Sequence, residues 1–164
     1  MRYLQGLTGR SMEIKRYTKN RIQDAIQFER NLRTEEDTWG WEIDERYIEA
    51  VTNSFDDPAF ANSISLLAYV GDQVIGRIDS TMICSHFDGS VKAYLDWICV
   101  LKSQRHQGVA QALLSCLQME LKEYGVDTLI GLIDSNVGAQ RFYRSLPNAI
   151  VRDEGIWIDV HLIK

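Results

Sequence analysis

The residue pattern with the clearest chemical use is Gln104-Arg105-His106-Gln107-Gly108-Val109-Ala110-Gln111. It lies between an apolar strand, Tyr94-Leu-Asp-Trp-Ile-Cys-Val100, and a helix predicted over residues 108–124. Val109, Leu113, Cys116, Leu117, Leu121 and Tyr124 recur at helical spacing and give that helix one apolar face. The first N–H groups of a helix have no partner inside it, and the aligned peptide dipoles add partial positive charge there. Gly108 lets the main chain approach a bulky anion, Ala110 keeps the next position small, and Arg105 brings a full positive charge. A diphosphate is expected to rest on this turn, the plainer reading being an ordinary strand-to-helix turn with a surface arginine.

A second segment, Asp134-Ser-Asn-Val-Gly-Ala-Gln-Arg-Phe-Tyr-Arg144, opens a helix directly after a strand predicted over 128–134. Asn136 sits at its start, where a side-chain amide can cap the helix or bond a ligand. Tyr143 follows two turns later on the same side.

The elements that must position these segments follow from periodicity and punctuation. Glu13–Thr18 alternates as a short strand, and Asn20 is placed to cap the next helix. Ile22, Ala25, Ile26, Phe28 (or Glu29) and Leu32 form that helix's apolar face, up to Arg33. Residues 34–44 make an acidic, aromatic connection, and a short helix over 45–54 stops before Asp56-Asp57-Pro58. Ser63–Val70 and Val74–Cys84 join through Gly71-Asp72 as a hairpin, and Ser85–Ser90 turns into Val91–Val100. Gly125 ends the central helix, and a helix over 136–146 runs up to Pro147. Residues 150–154 and 156–163 read as a closing hairpin around Gly155. The order is βααβββαβαββ: one α/β domain, a single mixed central sheet with helices on both faces. Residues 1–11 show no clear period and are expected to be an extension ahead of a domain spanning 12–164.

At 164 residues the chain is long enough to bury a core, and 45% hydrophobic with 25% charged residues is globular composition. Lys and Arg number 18 against 23 Asp and Glu, a formal charge of −5 that argues against nucleic-acid binding through a basic face. An acidic surface instead tolerates a cationic small molecule or peptide. Cys84, Cys99 and Cys116 are odd in number and far apart, with neither metal-ligand spacing nor a disulfide framework. No metal is implied, and a reducing cytoplasm fits. No apolar run approaches the roughly 18–20 residues of a membrane span, and the first residues show no hydrophobic region of the signal-peptide kind.

With both segments in view, the chain resembles the GNAT superfamily of acyl-CoA-dependent N-acyltransferases. The likeness rests on Gln104-Arg-His-Gln-Gly108-Val-Ala110 after a Val-ending strand, on Asn136-Val-Gly-Ala139-Gln-Arg-Phe142-Tyr143, and on the element order. It implies that acetyl-CoA is the cosubstrate. The pantetheine arm would add like a strand beside main-chain groups of Ile98, Cys99 and Val100. The diphosphate would rest on the amides of His106, Gln107, Gly108, Val109, Ala110 and Gln111. Asn136 would bond the pantetheine or its neighbouring backbone, the Val100 amide would face the developing oxyanion, and Tyr143 would protonate the leaving thiolate.

The base is less legible. Some members of the superfamily carry a Glu five residues before the Asn, where this chain has Gly131, and others six before the final Val, where it has Tyr94. Asp96, a carboxylate inside an otherwise apolar strand, is the first alternative. Glu29, Glu36 and Asp79 follow, and a water relay or a neutral acceptor serves equally. Each residue also has a plainer use. Asp96 could pair with Lys92 or Arg77, Tyr143 could pack with Phe142, and His106 could contribute only its backbone. His86 and His161 read as structural or solvated. Trp39 and Trp41 could be core, or a wall of the acceptor site together with Glu29, Glu36 and Asp79. Glu35, Glu36, Asp37, Glu42 and Asp44 around those tryptophans point to a cationic amine.

The expected activity is therefore acetyl transfer from acetyl-CoA to a primary amine by direct attack. A protein lysine or N-terminus as acceptor, and a non-catalytic acyl-CoA sensor or subunit, are the alternatives. The closing strands at 150–163 could pair across a homodimer.

Overall fold

Gly71, at φ 60°, closes the two-residue turn that folds Ser63–Val70 onto Gln73–Cys84. The second strand is carried on by the Ser85–Ser90 turn into Val91–Val100, so three long antiparallel strands form the middle of the sheet. The computed structural model describes residues 2–5, 11–36, 42–133 and 136–151. The chain divides into two units, Met1–Ile130 and Gly131–Lys164.

The first unit holds β1 (Arg2–Gln5), β2 (Ser11–Arg16), α1 (Ile22–Glu35), α2 (Glu45–Ser54), β3 (Ser63–Val70), β4 (Gln73–Cys84), β5 (Val91–Val100) and α3 (Val109–Glu123). β6 (Thr128–Gly131) completes a sheet ordered β1-β2-β3-β4-β5-β6. The first five strands pair antiparallel. β5 reaches β6 through α3, the helical crossover that a parallel neighbour requires, so the sheet is mixed. The second unit holds α4 (Val137–Arg144).

Adjacent residues of β4 show which helix covers which face. A Cβ on Gly76 would lie 3.0 Å from Val109 Cγ1 and 3.1 Å from Leu113 Cδ1, so α3 packs against that side. Arg77, pointing the other way, bonds Glu29 of α1. The core is built by Ile26, Phe28 and Leu32 of α1, Ile64, Leu66 and Leu67 of β3, Ile78 of β4, and Leu113 and Leu117 of α3. Gly76 thus sets how closely the start of α3 approaches the sheet. Gly76→Val is expected to overpack this contact and cost about 2 kcal/mol, read from the urea midpoint. An unchanged midpoint would show that the contact gives way freely.

The helical periodicities hold, with Ile22, Ala25, Ile26, Phe28, Glu29 and Leu32 all buried in α1. In α3 the predicted face is buried except Tyr124, which is 55% exposed. Gly125 ends α3 at φ 74°. Three local expectations are corrected. Asn20 does not cap α1: Lys19–Arg21 winds as a 3-10 turn, and the Thr18 hydroxyl donates to Asn20 Oδ1. The strand predicted over 128–134 stops at Gly131. Arg2–Gln5, without a visible period, forms a strand through backbone pairing with Ile14–Ser11. Trp39, Trp41, Asp37, His161 and the closing hairpin beyond residue 151 lie outside the described residues.

Candidate functional site

Gly108 stands at the N-cap of α3 with φ 80° and ψ 4°, the left-handed conformation that glycine adopts without steric cost. The first helical bond runs from Ala112 N–H to Gly108 O at 3.0 Å, which leaves the amides of Val109, Ala110 and Gln111 outside the helical ladder. Among the described residues no side chain caps this end, and the first turn holds no acidic residue. His106 is also left-handed, at φ 61°, a conformation His tolerates better than most side chains. Its ring is exposed. The turn therefore presents uncompensated N–H groups and positive dipole charge, as an anion site requires.

The edge of β5 is the second component. Leu101 N–H donates to Ile75 O at 3.0 Å, in register with the Cys99–Arg77 pair. Antiparallel ladders alternate, so Cys99 and Leu101 spend their main-chain groups on β4. Ile98 and Val100 turn theirs to the opposite edge, the side of β6 in the strand order. Of the three expected pantetheine partners, Ile98 and Val100 point to this edge, with Val100 O already accepting from Arg105 Nε, whereas Cys99 faces its amide the other way. Burial pushes the Cys99 thiol up to about 11, so it holds its proton at neutral pH and is a poor nucleophile.

Arg105 does not stand as a lone cation beside the turn. Its guanidinium forms a two-pronged pair with the Glu36 carboxylate, one bond at 3.0 Å and one shorter, while Nε donates to Val100 O at 3.1 Å. One residue earlier, Glu35 accepts from Ser103 N–H at 2.8 Å and from Ser103 Oγ at 2.7 Å. These bonds hold the Glu35 carboxyl below its usual range, the Ser103 backbone bond contributing most. Asp44 caps α2, accepting from Tyr47 N–H at 2.9 Å. Three of the five acidic residues read as pointing to a cationic amine therefore have structural duties, and Glu42 is exposed.

On the α1 face, Arg77 gathers the other carboxylates. Its Nε and Nη2 bond Asp79 at 2.7 and 3.0 Å, and Nη1 reaches Glu29 Oε1 at 3.3 Å. Glu29, only 2% exposed, also accepts from Arg33 at 2.8 Å. The Arg77 guanidinium lies 5.0 Å from the centre of the Tyr17 ring, and burial raises the Tyr17 phenol pKa. Glu29 and Asp79 are thus fixed in an ion-paired cluster, where burial is tolerated because each charge is answered. Arg77 and Ser103 were missed as organising residues. The i, i+2 spacing of Arg77 and Asp79 in a strand, and Glu29 on an apolar helix face, are the signals that could have found this cluster.

Asp96 is different. Asp79 pairs with Trp97 and Ser80 with Leu95, so Asp96 is the extra residue of a β-bulge, which re-aims its side chain. It is exposed and accepts from Thr81 Oγ1 at 2.9 Å. Neither Lys92 nor Arg77 is its partner: Lys92 bonds Asp88 at 3.3 Å, and Arg77 is engaged as above.

In the second unit, Asn136 caps α4, its Oδ1 accepting from Ala139 N–H at 2.7 Å. Tyr143 is half-buried and meets Phe142 edge-on at 5.2 Å. Burial raises the Tyr143 phenol above its ordinary value, so it keeps its proton through the neutral range. Among the described residues, no group of three or more His, Cys, Asp or Glu is placed to hold a metal, and no helix is long and apolar enough to cross a membrane.

The crossover from β5 to β6 thus opens on a helix start whose first amides lie outside the helical ladder. The chain belongs to the acetyltransferase (GNAT) family, whose model matches residues 11–146. Among solved structures it is similar to an aminoglycoside acetyltransferase from an uncultured soil metagenomic sample, in complex with trehalose. That likeness has TM-score 0.74 and 19% identity over 91% of this chain and 96% of the other. It is similar also to AAC(6')-Iy in complex with the bisubstrate analogue CoA-S-monomethyl-acetylneamine (TM-score 0.72, 19% identity, 90% and 97% covered). A third is a ribosomal-protein-alanine N-acetyltransferase from Brucella melitensis biovar Abortus 2308 (TM-score 0.70, 14% identity, 90% and 97% covered). No curated protein sequence matches significantly. At these identities the structural likeness establishes the fold.

Proposed function

We propose that the protein transfers the acetyl group of acetyl-CoA to a primary amine of a cationic small molecule or peptide, by direct attack. The observation that carries this reading is the uncapped start of α3. Gly108 is left-handed there, no carboxylate lies in the first turn, and three amides are left for an anion. The diphosphate would take the amides of 106–111, and the pantetheine would run along the Ile98 and Val100 edge. The amine nitrogen bonds the thioester carbonyl carbon, the C–S bond breaks, and the thiolate takes the Tyr143 proton while the ammonium proton leaves to a base. The roles of Asn136 and Tyr143 rest on their positions in the family motif.

Asp96 is the proposed base, because Glu29, Glu36 and Asp79 are held in ion pairs while Asp96 is exposed and, among the described residues, bonds only the Thr81 hydroxyl. Asp96→Asn is expected to slow turnover about 100-fold near neutral pH with coenzyme A affinity unchanged, in steady-state assays and calorimetry. An unchanged rate would assign the proton to water or to an acceptor that arrives neutral. The formal charge of −5, the exposed Asp96 and Glu42, and the aminoglycoside acetyltransferases among the similar structures support a cationic acceptor. The test is thiol release from acetyl-CoA over a panel of amines. Polyamines or aminoglycosides should react, and turnover confined to neutral or acidic amines would refute the cationic class.

A second reading, acyl-CoA binding without turnover, draws on Gly131 and Tyr94 at the positions of the familiar Glu and on the ion-paired carboxylates. The same panel separates the two: tight coenzyme A binding with no thiol release from any amine favours the sensor.

A further inference from the structure

We propose that Glu35 and Glu36 are positioning residues for the donor, locking the end of α1 to the β5–α3 turn so that the turn keeps its anion-binding shape. The inference rests on the functional reading above, and it moves Glu36 from the acceptor wall to the donor side.

The turn spans Lys102 to Gly108 between two buried anchors, Leu101 and Val109. Lys102, Ser103, Arg105 and His106 are exposed, so their side chains add little packing to this stretch. Two of its residues, His106 and Gly108, hold left-handed φ values of 61° and 80°. For His106, which is not glycine, such a conformation persists only when its surroundings over-determine it. Among the described residues, the side chains that reach this stretch from another helix are Glu35 and Glu36. Glu35 takes both donors of Ser103, one turn before Gly108. Glu36 takes the Arg105 guanidinium on two sides, and Arg105 in turn fastens Val100 O through Nε. Both carboxylates therefore tie the strand end and the turn to one rigid support. That support is the helix from which the connection at 37–44 departs, so donor affinity and the end of α1 are coupled.

The test is calorimetric titration of coenzyme A into the wild type, Glu35→Gln, Glu36→Gln and, as control, Glu49→Gln on the exposed side of α2. Steady-state kinetics follow on the same proteins. Each charge-assisted anchor lost is expected to weaken coenzyme A binding, and raise the KM for acetyl-CoA, about tenfold. The kcat and the KM for the amine should stay within about twofold, a split that loss of fold or of an acceptor contact does not give. The control should match the wild type. A second measurement needs no variant: saturating coenzyme A should protect the amides of residues 32–36 from hydrogen exchange together with those of 106–111. Folded variants that bind coenzyme A like the wild type, or protection confined to the turn, would overturn the proposal. If the wild type itself fails to bind coenzyme A, the functional reading falls first and this inference with it.

Discussion

Gly108→Val is expected to abolish useful coenzyme A binding while leaving most of the fold's stability intact. Its chain neighbours aside, a Cβ at this position would meet no described atom within 4 Å, so the first side-chain carbon has room. The cost lies in φ, which is 80° in the native turn and is an outlier for a β-branched residue. Holding it costs on the order of 1–2 kcal/mol, and escaping it rotates the Val109 and Ala110 amides away from the anion. Two charge-assisted N–H bonds at about 1.5 kcal/mol each amount to roughly a 100-fold loss of affinity. The new side chain would also stand in the open space over the helix start. Calorimetry with coenzyme A, beside a urea unfolding curve, reads both effects. Wild-type affinity in Gly108→Val would remove the diphosphate from this turn.

The second large effect is expected from Tyr143→Phe. The change deletes one hydroxyl and keeps the ring that meets Phe142 edge-on, so stability and coenzyme A affinity should hold. Loss of a general acid lowers kcat about 10²- to 10⁴-fold. The pH dependence has a definite sign. Burial penalises the phenolate and lifts the pKa above that of an ordinary phenol, so the proton proposed for the leaving thiolate is present at and below neutral pH. It is lost only as pH rises through the raised value. The wild-type rate should therefore keep the Tyr143 contribution past the pH at which an ordinary phenol ionises, and an alkaline fall set by this group should vanish in the Phe variant. A kcat within about threefold of wild type would return Tyr143 to a packing role.

The two predictions differ in how far each site residue was visible beforehand. Gly108 was legible because only glycine takes that φ without strain, and a strand, a turn and an apolar 3.6-residue period placed it at a helix start. Asn136 was legible as a cap, since its amide accepts the third amide of the helix it opens. The faces of α1 and α3 were legible for the same reason: periodicity reports burial whenever one side of an element faces the core. Glu29 was ambiguous with Phe28 at the edge of that face, and both proved buried. Arg2–Gln5 and Asn20 were not legible. A short edge strand is stabilised by backbone pairing that leaves no side-chain period, and a 3-10 turn beginning after Thr18 displaced the predicted cap.

The destinations of the charges are where sequence alone stopped. Glu35, Glu36 and Asp44 look alike in an acidic run, yet one holds Ser103, one holds Arg105 and one caps α2. Glu36 and Arg105 are 69 positions apart, and Glu29 and Arg77 are 48. Local sequence determined the helix faces, the turn at Gly108 and the order of elements, because those depend on dihedral preferences and on apolar spacing within a few residues. Only the tertiary structure decided which carboxylates are spent on ion pairs, which way the β5 amides face, and that a bulge leaves Asp96 outside that network. A charge finds its partner through the packing of strands and helices that are distant in the chain, and no local spacing encodes that.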